Sequence, residues 1–215
     1  MKNKLPNSFI IPYLILLAVG AAGYFLFEKT SAHLFVNQFH NGLLDLFFYY
    51  LTYLGDGIFI IVATIIAAFF NVRLALLLFT SYALSAGITQ VLKHFLFDEW
   101  MRPAAIFEAN AQIKQLYIVK GVELNYHNSF PSGHSTSAFA FFFSLSIFSS
   151  KNIIQILLFC LAVLTAYSRV YLSQHFFIDI YAGSFIGTIC SFVLYKYWID
   201  GLNEKYNQPL INFIK

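Results

Sequence analysis

The sequence predicts an all-α membrane protein, a single bundle of six transmembrane helices. Two observations predict it. Of the 215 residues, 59% are apolar and only 11% charged, whereas a water-soluble domain usually carries about a quarter charged residues. The apolar residues also gather into runs long enough to cross a bilayer, which takes about 20 helical residues. The 26 Phe and 14 Tyr read as lipid-facing and interfacial side chains, not as a stacking platform for bases. A net charge of +3 with no Lys/Arg run argues against nucleic acid as a partner.

The first run, Ile10–Phe27, follows Lys2 and Lys4. It is too long for the core of a signal peptide and precedes no convincing cleavage site, so it reads as a retained span. The second, Phe48–Phe70, contains Gly55-Asp56-Gly57, and its start lies on one side or the other of that break. Leu74–Val91 is the third, Ser132–Phe148 the fourth, Ile153–Tyr167 the fifth and Phe177–Trp198 the sixth. Cys160 and Cys190 fall inside apolar runs, where free cysteine behaves as a small hydrophobe. Between the third and fourth spans lie about forty residues, Leu92–Pro131, a length that marks a functional connection. No repeat or second domain interrupts residues 1–215.

Basic residues in short loops set orientation. With the N-terminus inside, Lys2, Lys4, Arg73, Lys151, Lys196, Lys205 and Lys215 are cytoplasmic, and Lys29, Lys93, Arg102, Lys114, Lys120 and Arg169 are external. That division is nearly even. It favours this orientation only if Lys93, Arg102 and Arg169 have a chemical reason to lie outside.

Three polar clusters supply the reason. They are Lys93 with Arg102-Pro103, then Pro131-Ser132-Gly133-His134, then Ser168-Arg169 with His175 and Asp179. Each sits at a span end, and alternating topology brings all of them to one membrane face. Ionisable groups at membrane depth are costly and imply function. His175 and Asp179 are four residues apart, hence on one face of a helix that starts near His175. A carboxylate there fixes the imidazole tautomer and leaves the second ring nitrogen free to attack. The same spacing by itself also describes a simple ion pair at a helix start. Ser132 suits an N-cap and Gly133 lets backbone approach an anion, so helix-end N–H groups there favour phosphate. His134 can protonate a leaving oxygen. Lys93, Arg102 and Arg169 fit a phosphate cradle, arginine for bidentate contacts and lysine as a point charge. Lys93 alone could equally snorkel from the end of its span. His94 and His127 lack metal-ligand spacing, and Asp56 and Asn71 read as span-end polar groups.

These motifs resemble the type 2 phosphatidic acid phosphatase (PAP2) family, membrane relatives of vanadium haloperoxidases and soluble bacterial acid phosphatases. Pro131-Ser132-Gly133-His134 and Ser168-Arg169, His175 and Asp179 match its pattern in full. The first element departs, since eight residues separate Lys93 from Arg102, a longer interval than the pattern has. The resemblance implies an integral membrane, metal-independent lipid phosphate phosphatase without cofactor. Its nucleophile would be His175, oriented by Asp179, with His134 as acid and base. Lys93, Arg102, Ser132, Gly133 and Arg169 would bind the phosphate. It further implies a phosphorylated lipid substrate such as phosphatidic acid, phosphatidylglycerophosphate, undecaprenyl diphosphate or a lipid A phosphate. The compact chain fits a bacterial cytoplasmic membrane enzyme with its site facing outward, its specificity residing in Phe107–Asn128 and the groove between helices. Two other classes fit less well: a phosphotransferase using the same phosphohistidine, and a non-catalytic transporter or scaffold.

Overall fold

The computed structural model describes residues 5–110 and 115–213. Lys2, Lys4, Lys114 and Lys215, used above for orientation, lie outside the described residues. Helix α1 (Asn7–Leu26) leads to a short α2 (Lys29–Val36). Next come α3 (Gly42–Leu51), a 3-10 turn (Thr52–Gly55) and α4 (Gly57–Ala68). Helix α5 (Val72–Val91) continues into a π-helical turn, Leu92–Leu96. After α6 (Pro103–Ala109) and a long irregular segment come α7 (Gly133–Ile147), α8 (Asn152–Tyr171) and α9 (Phe177–Tyr197). The described residues contain no strand. This is a multi-pass, all-helical membrane protein: α1, α5 with its π turn, α8 and α9 are long and apolar enough to cross, and α3–α4 makes a fifth crossing if taken as one bent span. The outer faces of these helices are apolar, as lipid requires, with Ile15 and Val19 on α1, Ile65 on α4 and Phe185 on α9 exposed.

Two of the six expected spans take a different form. The second is broken, its halves bent by 59°. Asp56 ends the first half and caps the second, its carboxylate accepting from the Ile58 N–H at 2.8 Å. Close contact requires Gly55, where a Cβ would lie 2.7 Å from the His134 carbonyl, while one on Gly57 would meet the end of the Tyr82 side chain. The fourth span is helical, but α7 is only 15 residues long, and twelve of them are buried. A helix buried on nearly all sides belongs to the middle of a bundle, and α7 packs against α5, α8 and α9. Two short helices had no counterpart in the hydropathy reading. Helix α2 is capped by the Glu28 carboxylate, which accepts from the Thr30 and Ser31 N–H groups, and α6 starts on Pro103, a residue suited to a first helical turn.

The tightest crossing is α7 on α9. Gly183 and Gly187 are four apart on one face of α9, the small-xxx-small spacing that lets membrane helices meet backbone to backbone. A Cβ on Gly183 would lie 2.6 Å from the Ser132 carbonyl, and one on Gly187 would fall at 2.2 Å from the Thr136 carbonyl. One turn on, the Ser191 hydroxyl donates to the Ala140 carbonyl at 3.0 Å. Overpacking usually costs about 1–3 kcal/mol, and here the obstructing atoms are backbone. Gly187→Ala is therefore expected to lower stability by about 3 kcal/mol, read as a drop in thermal unfolding temperature in detergent, whereas Gly201→Ala, with open space around its Cβ, leaves it unchanged.

Candidate active site

The three polar clusters meet at one end of the bundle. Lys93 stands on the π turn after α5, Arg102 is the N-cap residue of α6, and Ser132 is that of α7. Arg169 lies in the last turn of α8 and Asp179 in the first turn of α9, with His175 on the short link between them. That link is a tight reversal, the N–H groups of Gln174 and His175 both donating to the Arg169 carbonyl at 2.9 and 3.1 Å.

His175 is buried, with 2% of its surface exposed, and it faces the protein, not lipid. Its Nδ1 lies 3.2 Å from Asp179 Oδ2. The same oxygen accepts from the Ser129 hydroxyl at 2.5 Å and from the Phe176 N–H at 2.9 Å. A carboxylate can only accept, so the imidazole proton sits on Nδ1 and Nε2 carries the lone pair, which accepts from Arg102. Nε2 is 3.3 Å from Arg102 Nη1. Burial, followed by the charges of Arg102, Arg169 and Lys93, holds the His175 pKa well below the usual histidine value. The ring is therefore neutral at neutral pH, as a nucleophile must be.

Three cations surround it. Arg102 donates to the carbonyls of His127 (2.8 Å), Gln174 (3.1 Å) and Asn128 (3.5 Å). Lys93 donates to the same Asn128 carbonyl at 3.0 Å. Arg169 donates to the Thr52 hydroxyl at 2.8 Å and the Gln174 side-chain oxygen at 3.4 Å, while its buried Nε has no partner. Lys93 thus belongs to the cluster despite the long interval to Arg102. A π turn takes more residues per turn than an α turn and is a frequent feature of functional sites, so the extra length is partly absorbed before α6. Asp179 is the carboxylate hydrogen-bonded within this cluster, and Asp56 acts on Arg169 only through space. Positive charge is in surplus.

The N-terminus of α7 closes the site. Ser132 accepts from the Ser135 N–H at 3.4 Å, and its own N–H donates to the Asp179 carbonyl at 2.9 Å. Nothing lies within 4 Å of a Cβ built on Gly133, so an anion can approach that backbone. His134 lies within electrostatic reach of Arg169, His175, Lys93 and Arg102. All eight residues expected from the sequence share this one region.

The model of the PAP2 superfamily matches residues 74–201. The chain belongs to that superfamily. Two solved structures share the fold. LpxE of Aquifex aeolicus is 28% identical, with a TM-score of 0.68 over 80% of this chain and 98% of that one. The first transmembrane PAP2 type phosphatidylglycerolphosphate phosphatase from Bacillus subtilis is 24% identical, with a TM-score of 0.63 over 90% and 95%. No curated protein sequence matches. The PAP2 match makes the chain a membrane phosphatase.

Within this PAP2 fold the structure adds supporting residues that no motif pointed to. Ser129 holds Asp179, Thr52 holds Arg169, and Gln174 links Arg169 to the Glu123 carbonyl (3.0 Å) and the Asn125 side chain (3.4 Å). Their places in the sequence, Ser129 two residues before Pro131 and Gln174 next to His175, are the only sequence signal they carry. A further buried group, Asp45, accepts from Tyr117 and Tyr171 and pairs with His40, with nothing in the sequence to announce it. His94 is exposed, His127 contributes only its carbonyl, and Asn71 caps α5. Among the described residues no group of three or more His, Cys, Asp and Glu could hold a metal ion. A hydrogen bond to a charged group contributes about 1.5–3 kcal/mol. Ser129→Ala is therefore expected to lower stability by about 2 kcal/mol in thermal unfolding, and Ser129→Thr to restore most of it.

Proposed function

We propose that this protein hydrolyses a phosphate ester of a membrane lipid through a phosphohistidine on His175. The observation that carries the reading is the surplus of positive charge, buried at Lys93 and Arg169 and half-buried at Arg102, beside a neutral imidazole. Uncompensated cations at membrane depth are costly, and a phosphate monoester, with a charge of about −1.5 to −2 at neutral pH, is the kind of ligand that balances them. The Arg102 and Arg169 guanidiniums suit two of its oxygens, Lys93 a third, and the amides at Ser132 and Gly133 complete the cradle.

In the first step the Nε2 lone pair attacks phosphorus, the bond from phosphorus to the lipid oxygen breaks, and His134 gives its proton to that oxygen. In the second, water attacks the phosphohistidine, His134 takes the proton, the P–N bond breaks and inorganic phosphate leaves. Asp179 stabilises the charge that forms on the His175 ring without itself exchanging a proton. The reaction needs no metal. The whole chain acts as one membrane-embedded domain.

Phosphatidic acid, phosphatidylglycerophosphate, undecaprenyl diphosphate and a lipid A phosphate are the substrates to compare, the Bacillus subtilis relative being a phosphatidylglycerolphosphate phosphatase. Orientation supports an outward-facing site in a bacterial cytoplasmic membrane. With Lys93, Arg102 and Arg169 engaged in the cluster, the described basic residues left at that end are Lys29 and Lys120, against Arg73, Lys151, Lys196 and Lys205 at the other.

The direct test measures phosphate release by purified enzyme from these four lipids, with and without chelator. Wild type is expected to hydrolyse at least one with chelator present, and His175→Ala to lose turnover by about 10⁴-fold or more while remaining folded. Normal turnover in that variant removes the nucleophile. Transfer of phosphate to an added alcohol in place of water identifies a phosphotransferase.

The pH profile tests the electrostatics. Arg102⁺ opposes protonation of His175, so removing it raises the imidazole pKa, and the ring protonates at higher pH. Arg102→Gln is expected to reduce kcat/KM by about 10²–10³-fold and to shift the acid limb of kcat upward. An unchanged limb separates Arg102 from the nucleophile.

A further inference from the structure

A second buried polar network, which the mechanism above leaves unused, adjoins the reversal that carries His175. Its base is Asp45, in the first turn of α3. The carboxylate accepts from the Tyr171 hydroxyl at 2.6 Å and the Tyr117 hydroxyl at 2.8 Å, and it pairs with His40 Nδ1 at 2.8 Å. The His40 ring packs on both tyrosines, its centre 4.4 Å from that of Tyr117 and 4.2 Å from that of Tyr171. Asn37 continues the network. Its side-chain oxygen accepts from the Tyr117 N–H at 2.8 Å, and its amide nitrogen donates to the Tyr117 carbonyl at 2.9 Å. The second amide hydrogen has two acceptors in reach, His40 Nε2 and Ser173 Oγ, each at 3.3 Å. Ser173 lies two residues before His175 and is buried. Its φ of 54° falls in the left-handed region, which residues other than glycine rarely adopt. Such a conformation persists where the surroundings over-determine it. Here the Ser173 hydroxyl meets both Asn37 and, at 3.1 Å, His33 Nε2.

We infer that Asn37 is a positioning residue for the reaction, acting through Ser173 to hold the reversal that aims His175, with Asp45 and His40 as its foundation. The inference rests on the phosphohistidine reading above and names what fixes the nucleophile from outside the three motifs. Three observations carry it. A turn that needed only a left-handed residue would be served by glycine, yet this one has a serine whose oxygen has two side-chain partners. Asp179 fixes the ring of His175, whereas the backbone that carries the ring is set by the reversal, and Ser173 is part of it. Asn37 also grips the segment that meets the reversal from its other side, because Tyr117 precedes Glu123, whose carbonyl accepts from the Gln174 amide at 3.0 Å. One side chain thus ties down both the turn before His175 and the chain that packs on Gln174.

Ser173→Gly separates the anchor from the turn, since glycine adopts this φ freely and lacks only the hydroxyl. Misplacing a reacting group by about 1 Å can cost about 10²-fold in rate. Ser173→Gly and Asn37→Ala are each expected to lower kcat by about 10–100-fold on a lipid that wild type hydrolyses, with KM changed by less than about twofold. The double variant is expected to lose no more than the larger single loss, because the two residues act as one unit. Wild-type kcat in Ser173→Gly means that the turn conformation suffices, and it overturns the proposal. Losses that multiply in the double variant, or that appear in KM alone, overturn it too. Ser173→Gly carries the test by itself if Asn37→Ala does not fold. A second readout is independent of turnover. Amide hydrogen exchange at residues 174–176 is expected to quicken by at least about 10-fold in both variants, while exchange in the middle of α7 and α9 keeps the wild-type rate. Unchanged exchange at 174–176 overturns the anchor. Faster exchange there, together with no hydrolysis of any of the four lipids by wild type, counts against the phosphatase reading and leaves the anchor standing.

Discussion

The site depends on α7 and α9 meeting with no side chain between them. Gly183 and Gly187 remove the two Cβ atoms that would hold the helices apart, and the Ser132 N–H then reaches the Asp179 carbonyl at 2.9 Å. That bond ties the N-terminal end of α7 to the turn of α9 that carries Asp179, the partner of His175. A third backbone approach, Gly55 against the His134 carbonyl, locks the broken α3–α4 pair onto the same point and brings Thr52 to Arg169. Contacts between backbones are stiff, because interiors are packed too densely to deform smoothly, so the reacting groups inherit their positions from the helices instead of from flexible side chains.

Much of this was legible in the sequence, and the boundary between what was and what was not is physical. Charged residues in an apolar chain stand out because each is costly there, so Lys93, Arg102, Arg169, His175 and Asp179 declared themselves, and alternating topology put them on one face. Hydropathy also found every long helix. It could not show that α7, as apolar as its neighbours, is only 15 residues long and is wrapped by them. Nor could it find α2 and α6, which are short and owe their starts to a capping carboxylate and a proline. Ser129, Gln174 and Thr52 were out of reach because their role is set by partners 50, 51 and 117 residues away. Small polar residues carry no signal of such distant pairing.

The interval between Lys93 and Arg102 shows how a sequence irregularity can be structural. Counted along an α-helix, the eight intervening residues place the two cations out of register. The π turn at Leu92–Leu96 changes the count and swings Lys93 inward, to 8% exposure. Both side chains then end on one atom, the carbonyl oxygen of Asn128. Asn128 itself has a positive φ of 53°, a conformation asparagine tolerates better than most residues, and that backbone turn aims its carbonyl at the cations.

Those carbonyls explain how the cluster persists in the absence of substrate. Arg102 and Lys93 rest on the carbonyls of His127, Asn128 and Gln174, and Arg169 on the Thr52 hydroxyl and the Gln174 amide. Neutral dipoles satisfy the donors without cancelling the charge. A carboxylate in their place would neutralise the pocket and raise the pKa of His175 towards protonation. By using neutral oxygens the chain keeps the positive field that, together with the larger effect of burial, lowers the His175 pKa. The cations are therefore held in fixed orientations by the protein's own oxygens.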